Sequence, residues 1–244
     1  MVSDNPTGKI KIVYEDDFLV AIEKPAGMVV NKSSSWHQET VQDWMLALYP
    51  NIFSSLDPES ELARRYGLVH RLDKDTSGIL LLAKDEDTLI KLLFLFKHRL
   101  VVKEYIVLAW GNFDQNEFRV NAPIGRNPRM RRKQAIVKGT KESITDFEVK
   151  NFFADFRGTG LGVTLLHAFP QTGRTHQIRI HLAALYHPVV GDPLYSGKKR
   201  LKIAAPFLNR MFLHARRLSF THPILKKELD LISPLPDELK VLIS

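Results

Sequence analysis

The sequence predicts an α+β or mixed α/β protein. Two observations carry that expectation. Short β-rich segments recur along most of the 244 residues, and only a few helical patterns interrupt them. The chain also shows no internal repeat, low-complexity tract or clear linker, and its length suits one large domain or two small ones.

The elements follow in order. Ile10–Tyr14 and Leu19–Glu23 surround Glu15-Asp16-Asp17 and predict a hairpin, which Lys24-Pro25-Ala26-Gly27 ends. Thr40 suits the cap of a helix through Tyr49 that Pro50 stops, and 51–61 carries no clear pattern. Gly67–Lys84 places a charged knot, His70-Arg71-Leu72-Asp73-Lys74-Asp75, between two apolar runs. Asp85 then suits the cap of a helix to about Arg99, with Leu89, Leu92, Leu93 and Phe96 on one face. Val101–Trp110 returns to strand. Residues 121–141 hold Pro123, Pro128 and Gly139 among many cations and predict an exposed loop or protruding hairpin. A strand pair over 144–149 and 161–169 leads to a turn at Thr172–Thr175 and a helix to Tyr186, ended by His187-Pro188. Gly191-Asp192-Pro193 reads as a turn, and strands are expected over 211–220 and 229–232.

Composition narrows the function. Lys plus Arg number 35 against 27 Asp plus Glu, a net charge of +8, which suits an anionic partner: nucleic acid first, a membrane surface second. The absence of cysteine excludes disulfides, thiolate nucleophiles and cysteine metal sites, and suits a reducing compartment. The first residues lack the apolar core of a signal peptide, and no apolar run approaches the roughly 20 residues of a membrane span. A cytoplasmic protein that does not engage membrane is expected.

Several familiar motifs fail on spacing. Gly158-Thr159-Gly160-Leu161-Gly162 leads into a strand, not the helix a dinucleotide loop requires. Gly191 to Gly197 has one residue too many for a P-loop, and Lys198-Lys199 is followed by no Ser or Thr. His176 and His181 are roughly 140° apart on a helix, poorly placed for a shared metal. No nucleophile-elbow serine is present. By contrast, Arg126–Lys141 contains seven Lys or Arg and no acid. That run is either a solvated loop or a basic flap that grips phosphates.

The charged knot has two readings. Asp73 and Asp75 are turn formers. Alternatively, Asp73 is a carboxylate at the end of an apolar strand, where partial burial demands a partner. An arginine is available in Gln171–His181, where Arg179 would share a helical face with Thr175 and His176, amid Ile178, Ile180 and Leu182.

Together these segments resemble the RNA pseudouridine synthases, in particular the family with a His-Arg-Leu-Asp signature that contains ribosomal large-subunit and tRNA enzymes. The matching residues are His70-Arg71-Leu72-Asp73 with Thr76-Ser77-Gly78, Lys103-Glu104-Tyr105, and Thr172 through Arg179. Lys24-Pro25-Ala26-Gly27 and Leu213-His214-Ala215 extend the match over most of the chain. The resemblance implies an α+β fold in a single catalytic domain over residues 1–244, a mixed, mostly antiparallel central β-sheet flanked by helices with the active site in a central cleft. It also implies isomerisation of uridine in structured RNA, ribosomal RNA first and tRNA second, by a monomer without cofactor or metal. It implies that Asp73 acts at the ribose, as nucleophile or as base, that Arg179 pairs with it, and that Tyr105 lies against the uracil. Arg71 would fill the gap left by the flipped base, and Arg126, Arg129, Arg131, Arg132 and Lys133 would hold RNA. The chain begins almost directly at the catalytic part, without the small N-terminal RNA-binding domain of many relatives, and Glu23 stands where an asparagine is common. A non-catalytic RNA-binding protein is the rival reading; it would need the basic run but not Asp73, Tyr105 and Arg179 together.

Overall fold

In a computed structural model that describes residues 10–33, 36–130 and 133–244, the chain passes first through β1 (Lys11–Glu15), β2 (Leu19–Lys24), α1 (Val41–Leu48), α2 (Pro50–Ser54), α3 (Glu61–Arg65), β3 (Ser77–Ala83), α4 (Glu86–Lys97) and β4 (Val102–Trp110). It continues through β5 (Glu117–Asn121), β6 (Ile124–Arg126), β7 (Gln134–Ile136), β8 (Ile144–Phe153), β9 (Val163–Pro170), α5 (Gln177–Ala184), α6 (Gly197–Ala204), β10 (Leu213–Thr221), β11 (Glu228–Ile232) and α7 (Asp237–Lys240). These elements fall into two compact units. The first comprises the described residues up to Val102 with Arg217–Ser233, and the second comprises Lys103–Arg216 with Pro234–Ser244.

In the first unit the strand order is β1-β2-β3-β10, with β11 on β10. β1 and β2 form the expected hairpin, and β2 pairs antiparallel with β3 from Leu19↔Ala83 to Lys24↔Gly78. Every residue of β3 is buried, which explains why Ser-Gly-Ile-Leu-Leu-Leu-Ala shows no polar alternation. α4 covers one face through Leu89 and Leu92, with Leu93 and Phe96 beside them. Its start is fixed by Asp85, whose carboxylate accepts from the Thr88 N–H at 2.9 Å, and α1 starts at a capping box between Thr40 and Asp43.

Residues 51–61, without pattern in the sequence, contain most of α2 and the first residue of α3. Pro50 does end α1, but its fixed φ also suits the first turn of a helix, and α2 begins on it. α3 is capped by Ser60 and by a residue no local pattern reveals: the Glu86 carboxylate accepts from the N–H groups of Glu61 and Leu62 at 3.0 and 2.7 Å.

In the second unit the order is β10-β4-β9-β8-β5, and β4, β9, β8 and β5 pair antiparallel in sequence. Alternation along β4 feeds two cores. Ile106, Leu108 and Trp110 pack with Phe156, Val190, Ala204, Phe212, Leu239 and Leu242. Val107 and Ala109 pack on the other face with Phe147, Leu166, Ala168 and the α5 residues Ile178 and Leu182. β6 and β7 form a separate antiparallel pair, the hairpin alternative expected for 121–141. α5 is shorter than the sequence suggested. His176 takes a left-handed conformation (φ 58°) at its cap, so Thr175 and His176 precede the helix and do not share a helical face with Arg179. α6 and α7 were not anticipated. Among the described residues no helix is long and apolar enough to cross a membrane.

Candidate active site

The charged knot of the first unit is not an interrupted strand. Only Leu68 before it bridges to β3, opposite Leu82; thereafter side chain replaces backbone. The Leu81 N–H donates to His70 Nε2 at 3.0 Å, which places the ring proton on Nδ1, and the imidazole stacks on Phe96 at 4.7 Å. One residue pair earlier, the Ala83 N–H donates to the Gly67 carbonyl at 2.8 Å. Gly67 has φ +75°, and a Cβ there would lie 2.3 Å from the Ala83 oxygen, so only glycine lets the segment approach the strand. The Thr76 N–H then donates to the Asp73 carbonyl at 3.1 Å. This closes a turn with Lys74 and Asp75 at its centre and Asp73 as its first residue. Asp73 is half-buried and Arg71 is exposed, while Leu72 between them is buried.

Lys24 holds this turn from below. Its side chain is only 1% exposed, and its ammonium donates to the carbonyls of Pro25, Met28 and Lys74 at 2.8, 2.9 and 3.0 Å. The Gly27 N–H donates to the same Lys74 carbonyl at 2.9 Å. A buried ammonium demands such acceptors, and two donors from Lys24–Gly27 therefore grip the carbonyl of Lys74, the residue after Asp73. The sequence marked these residues as the end of a strand and as part of the family resemblance, but not as a support for Asp73.

In the second unit Arg179 is 4% exposed and Asp192 fully buried. The guanidinium donates through Nε and Nη2 to the two Asp192 carboxylate oxygens at 2.7 and 3.0 Å. Asp192 also accepts from the N–H groups of Leu194 and Tyr195 at 2.8 and 3.1 Å. This bidentate pair fixes the plane of the guanidinium, which lies over the Tyr195 ring at 5.2 Å. Asp192 had read only as part of a turn; the signal that could have found it is the need of a buried arginine for a carboxylate. Tyr105 lies on β4 opposite Ala168 of β9. It packs on the same core as Ile178 and Leu182, which places it on the α5 face of the sheet. Its neighbour Glu104 points the other way and pairs with Arg216 at 2.7 Å.

The cationic hairpin is tied down at both ends. At its base, buried His181 bonds Thr145 Oγ1 at 2.9 Å and the Ala122 carbonyl at 3.2 Å. Burial lowers its pKa, opposed by the bond to Ala122, so the ring is neutral. At β7, the Gln134 N–H donates to the Tyr195 hydroxyl at 3.2 Å, and that hydroxyl lies 3.0 Å from His176 Nδ1. Arg126 and Arg129 are exposed, with the turn between them set by Asn127 Oδ1, which accepts from the N–H groups of Arg129 and Met130. Lys133 is turned inward, its ammonium donating to the Leu194 carbonyl. Arg131 and Arg132 lie outside the described residues. Among the described residues no group of three His, Asp or Glu is arranged to hold a metal ion.

The site residues thus divide between the units: Arg71 and Asp73 stand in the first, and Tyr105, Arg179 and the hairpin in the second. The molecule combines a mostly antiparallel α+β fold with a tethered acidic turn, a buried arginine and a basic hairpin. The comparisons place it more narrowly: residues 18–184 match the model of the RNA pseudouridylate synthase family, and the chain belongs to that family. It is 37% identical over 96% of its length to a ribosomal large subunit pseudouridine synthase D from Nitrosomonas europaea, of which it covers 64%. A protein of the same name from Vibrio parahaemolyticus is 34% identical over 94% of the chain and is covered to 68%. Among solved structures, human RNA pseudouridylate synthase domain containing 1 superposes with a TM-score of 0.69 at 27% identity, covering 92% of this chain and 83% of that one.

Proposed function

We propose that this protein isomerises specific uridines to pseudouridine in ribosomal RNA of the large subunit. The observation that carries this reading is the construction around Asp73. The turn that carries this carboxylate at its head is held by a buried lysine and a backbone amide, both donating to the Lys74 carbonyl, which is the support a reacting group needs and a surface turn does not. The family match spans Asp73, Tyr105 and Arg179, and the names of the relatives supply the choice of RNA.

In this reading the N1–C1′ bond of the target uridine breaks, the uracil turns, and C5 joins C1′ with loss of the C5 proton. Asp73 supplies an ionised carboxylate, as nucleophile at C1′ or as base toward the ribose. Tyr105 contacts the uracil, and Arg179, oriented by Asp192, supplies a fixed positive charge. Arg71, exposed beside Asp73, occupies the stack vacated by the base, whose extraction costs about a few kcal/mol. No step calls for a cofactor, and the absence of cysteine suits a cytoplasmic setting.

The test uses RNA labelled with tritium at uridine C5, whose release reports the new bond. Asp73→Asn should bind RNA as wild type does and release no tritium above background; turnover by that variant would sink the assignment. Pseudouridine mapping of RNA from cells with and without the gene then identifies the position modified.

A further inference from the structure

The run Gly197-Lys198-Lys199-Arg200, which fails as a P-loop, forms the start of α6. Lys198, Lys199 and Lys202 are exposed. At 3.6 residues per turn they fall within an arc of about 100°. The other side of the helix carries Ile203 and Ala204, which enter the core with Leu208 and Phe212. Among the described residues none of the three lysine side chains forms a hydrogen bond or an ion pair.

This helix contradicts the rules of helix stability. Cations occupy its first turn, at the positive end of the dipole. Lys202 follows Lys198 and Lys199 at spacings of four and three, so like charges face each other. No acid stands in the first turn and no side chain caps it. Core packing of Ile203 and Ala204 holds the helix, but among the described residues no acid or side-chain cap offsets the charge of its first turn, and an anion would. The basic hairpin meets the chain just before this point: Lys133 reaches the Leu194 carbonyl and Gln134 the Tyr195 hydroxyl, two residues ahead of Gly197.

We propose that the lysine face of α6 is a second phosphate-binding surface, which extends the basic hairpin and takes the sugar-phosphate backbone of the substrate RNA. The proposal rests on the RNA-modifying reading above and adds to it an element outside the motifs that define the family resemblance. Its ligand is RNA because an extended run of phosphates matches three separated ammonium groups on one helical face, whereas a single anion would not use all of them.

The experiment compares the full chain with its Lys198→Gln/Lys199→Gln/Lys202→Gln variant. Binding to an in-vitro transcript of large-subunit ribosomal RNA is followed through a salt titration. The slope of log K against log salt should become shallower by about 2–3, at roughly 0.9 for each phosphate that is no longer neutralised. The matching Lys→Arg variant should keep the wild-type slope. The thermal midpoint of the Gln variant should not fall, since like-charge repulsion has been removed. A wild-type slope in the Gln variant overturns the proposal, as does a lowered midpoint with an unchanged slope. Tritium release by the wild-type protein judges the underlying activity separately: failure there defeats the enzyme reading, while the salt slopes still decide whether α6 meets RNA.

Discussion

At the scale of single residues, the least typical side chain is Lys24. Surface lysines lie in water; this one is buried, with three carbonyls around its ammonium, one of them Lys74. Lys24→Met keeps the stem and removes the donors, leaving carbonyls short of a partner, which costs about 1–3 kcal/mol in a buried setting. The turn bearing Asp73 would then rest on the Gly27 amide alone of these two tethers. The expected outcome is a lowered unfolding midpoint together with a fall in kcat larger than any change in KM, because RNA binding does not pass through Lys24; equal changes in kcat and KM would contradict the positioning role. This link was invisible in sequence, since the carbonyl that matters most lies fifty residues from the ammonium. Asp192 was hidden similarly: its guanidinium partner is 13 residues away, and Gly191-Asp192-Pro193 has ordinary turn chemistry.

At the scale of elements, what local chemistry determines could be read and what distant contacts determine could not. Asp85 and Thr40 announce α4 and α1 because a cap acts on backbone amides two or three residues ahead. α6 carries the opposite of a helix signature in its first turn and forms against Ala204 and its neighbours in the core. α7 has only four residues, and its Leu239 is buried against β-strand residues far back in the chain. The charged knot of 70–75 was legible as something other than a plain strand, but the substitution of the His70 ring for a strand backbone was not. The basic hairpin yields a prediction of its own. Tyr195→Phe keeps the ring beneath Arg179 but deletes the hydroxyl that accepts from Gln134, a bond worth about 0.5–1.5 kcal/mol. Amide exchange at Gln134 should accelerate while exchange across β4 and β9 stays as it was; an unchanged rate at Gln134 would show that the hairpin is held elsewhere.

For the whole molecule, charge and protonation set the working range. His167, His181 and His222 are each held below the ordinary imidazole value, burial being the largest cause in every case. The unfolded chain therefore binds protons that the folded chain refuses, and stability falls as pH drops below about 6.5 toward the lowered values. Asp16, Asp43 and Asp146 have lowered pKa values. Burial opposes the shift at Asp16 and Asp43 but is outweighed by hydrogen bonds, whereas at Asp146 the bond from Arg119 is the leading cause. Their contribution is complete above the unfolded carboxylate value and disappears below about pH 4. Thermal midpoints should thus be flat near neutrality, decline below about pH 6.5, and decline further below about pH 4; a midpoint that rises on mild acidification would contradict the lowering of the three histidines by burial. The partition of the chain has a further consequence, for synthesis. The first unit reclaims Arg217–Ser233 after the chain has crossed the second, and the second is closed only by Pro234–Ser244, with Leu239 and Leu242 in its core. Vectorial folding, in which an early domain finishes while a later one is still being made, is therefore closed to this chain. The first unit cannot complete its core before Leu231 has been made, nor the second before Leu242, so both keep unfinished apolar surface while the intervening chain is synthesised.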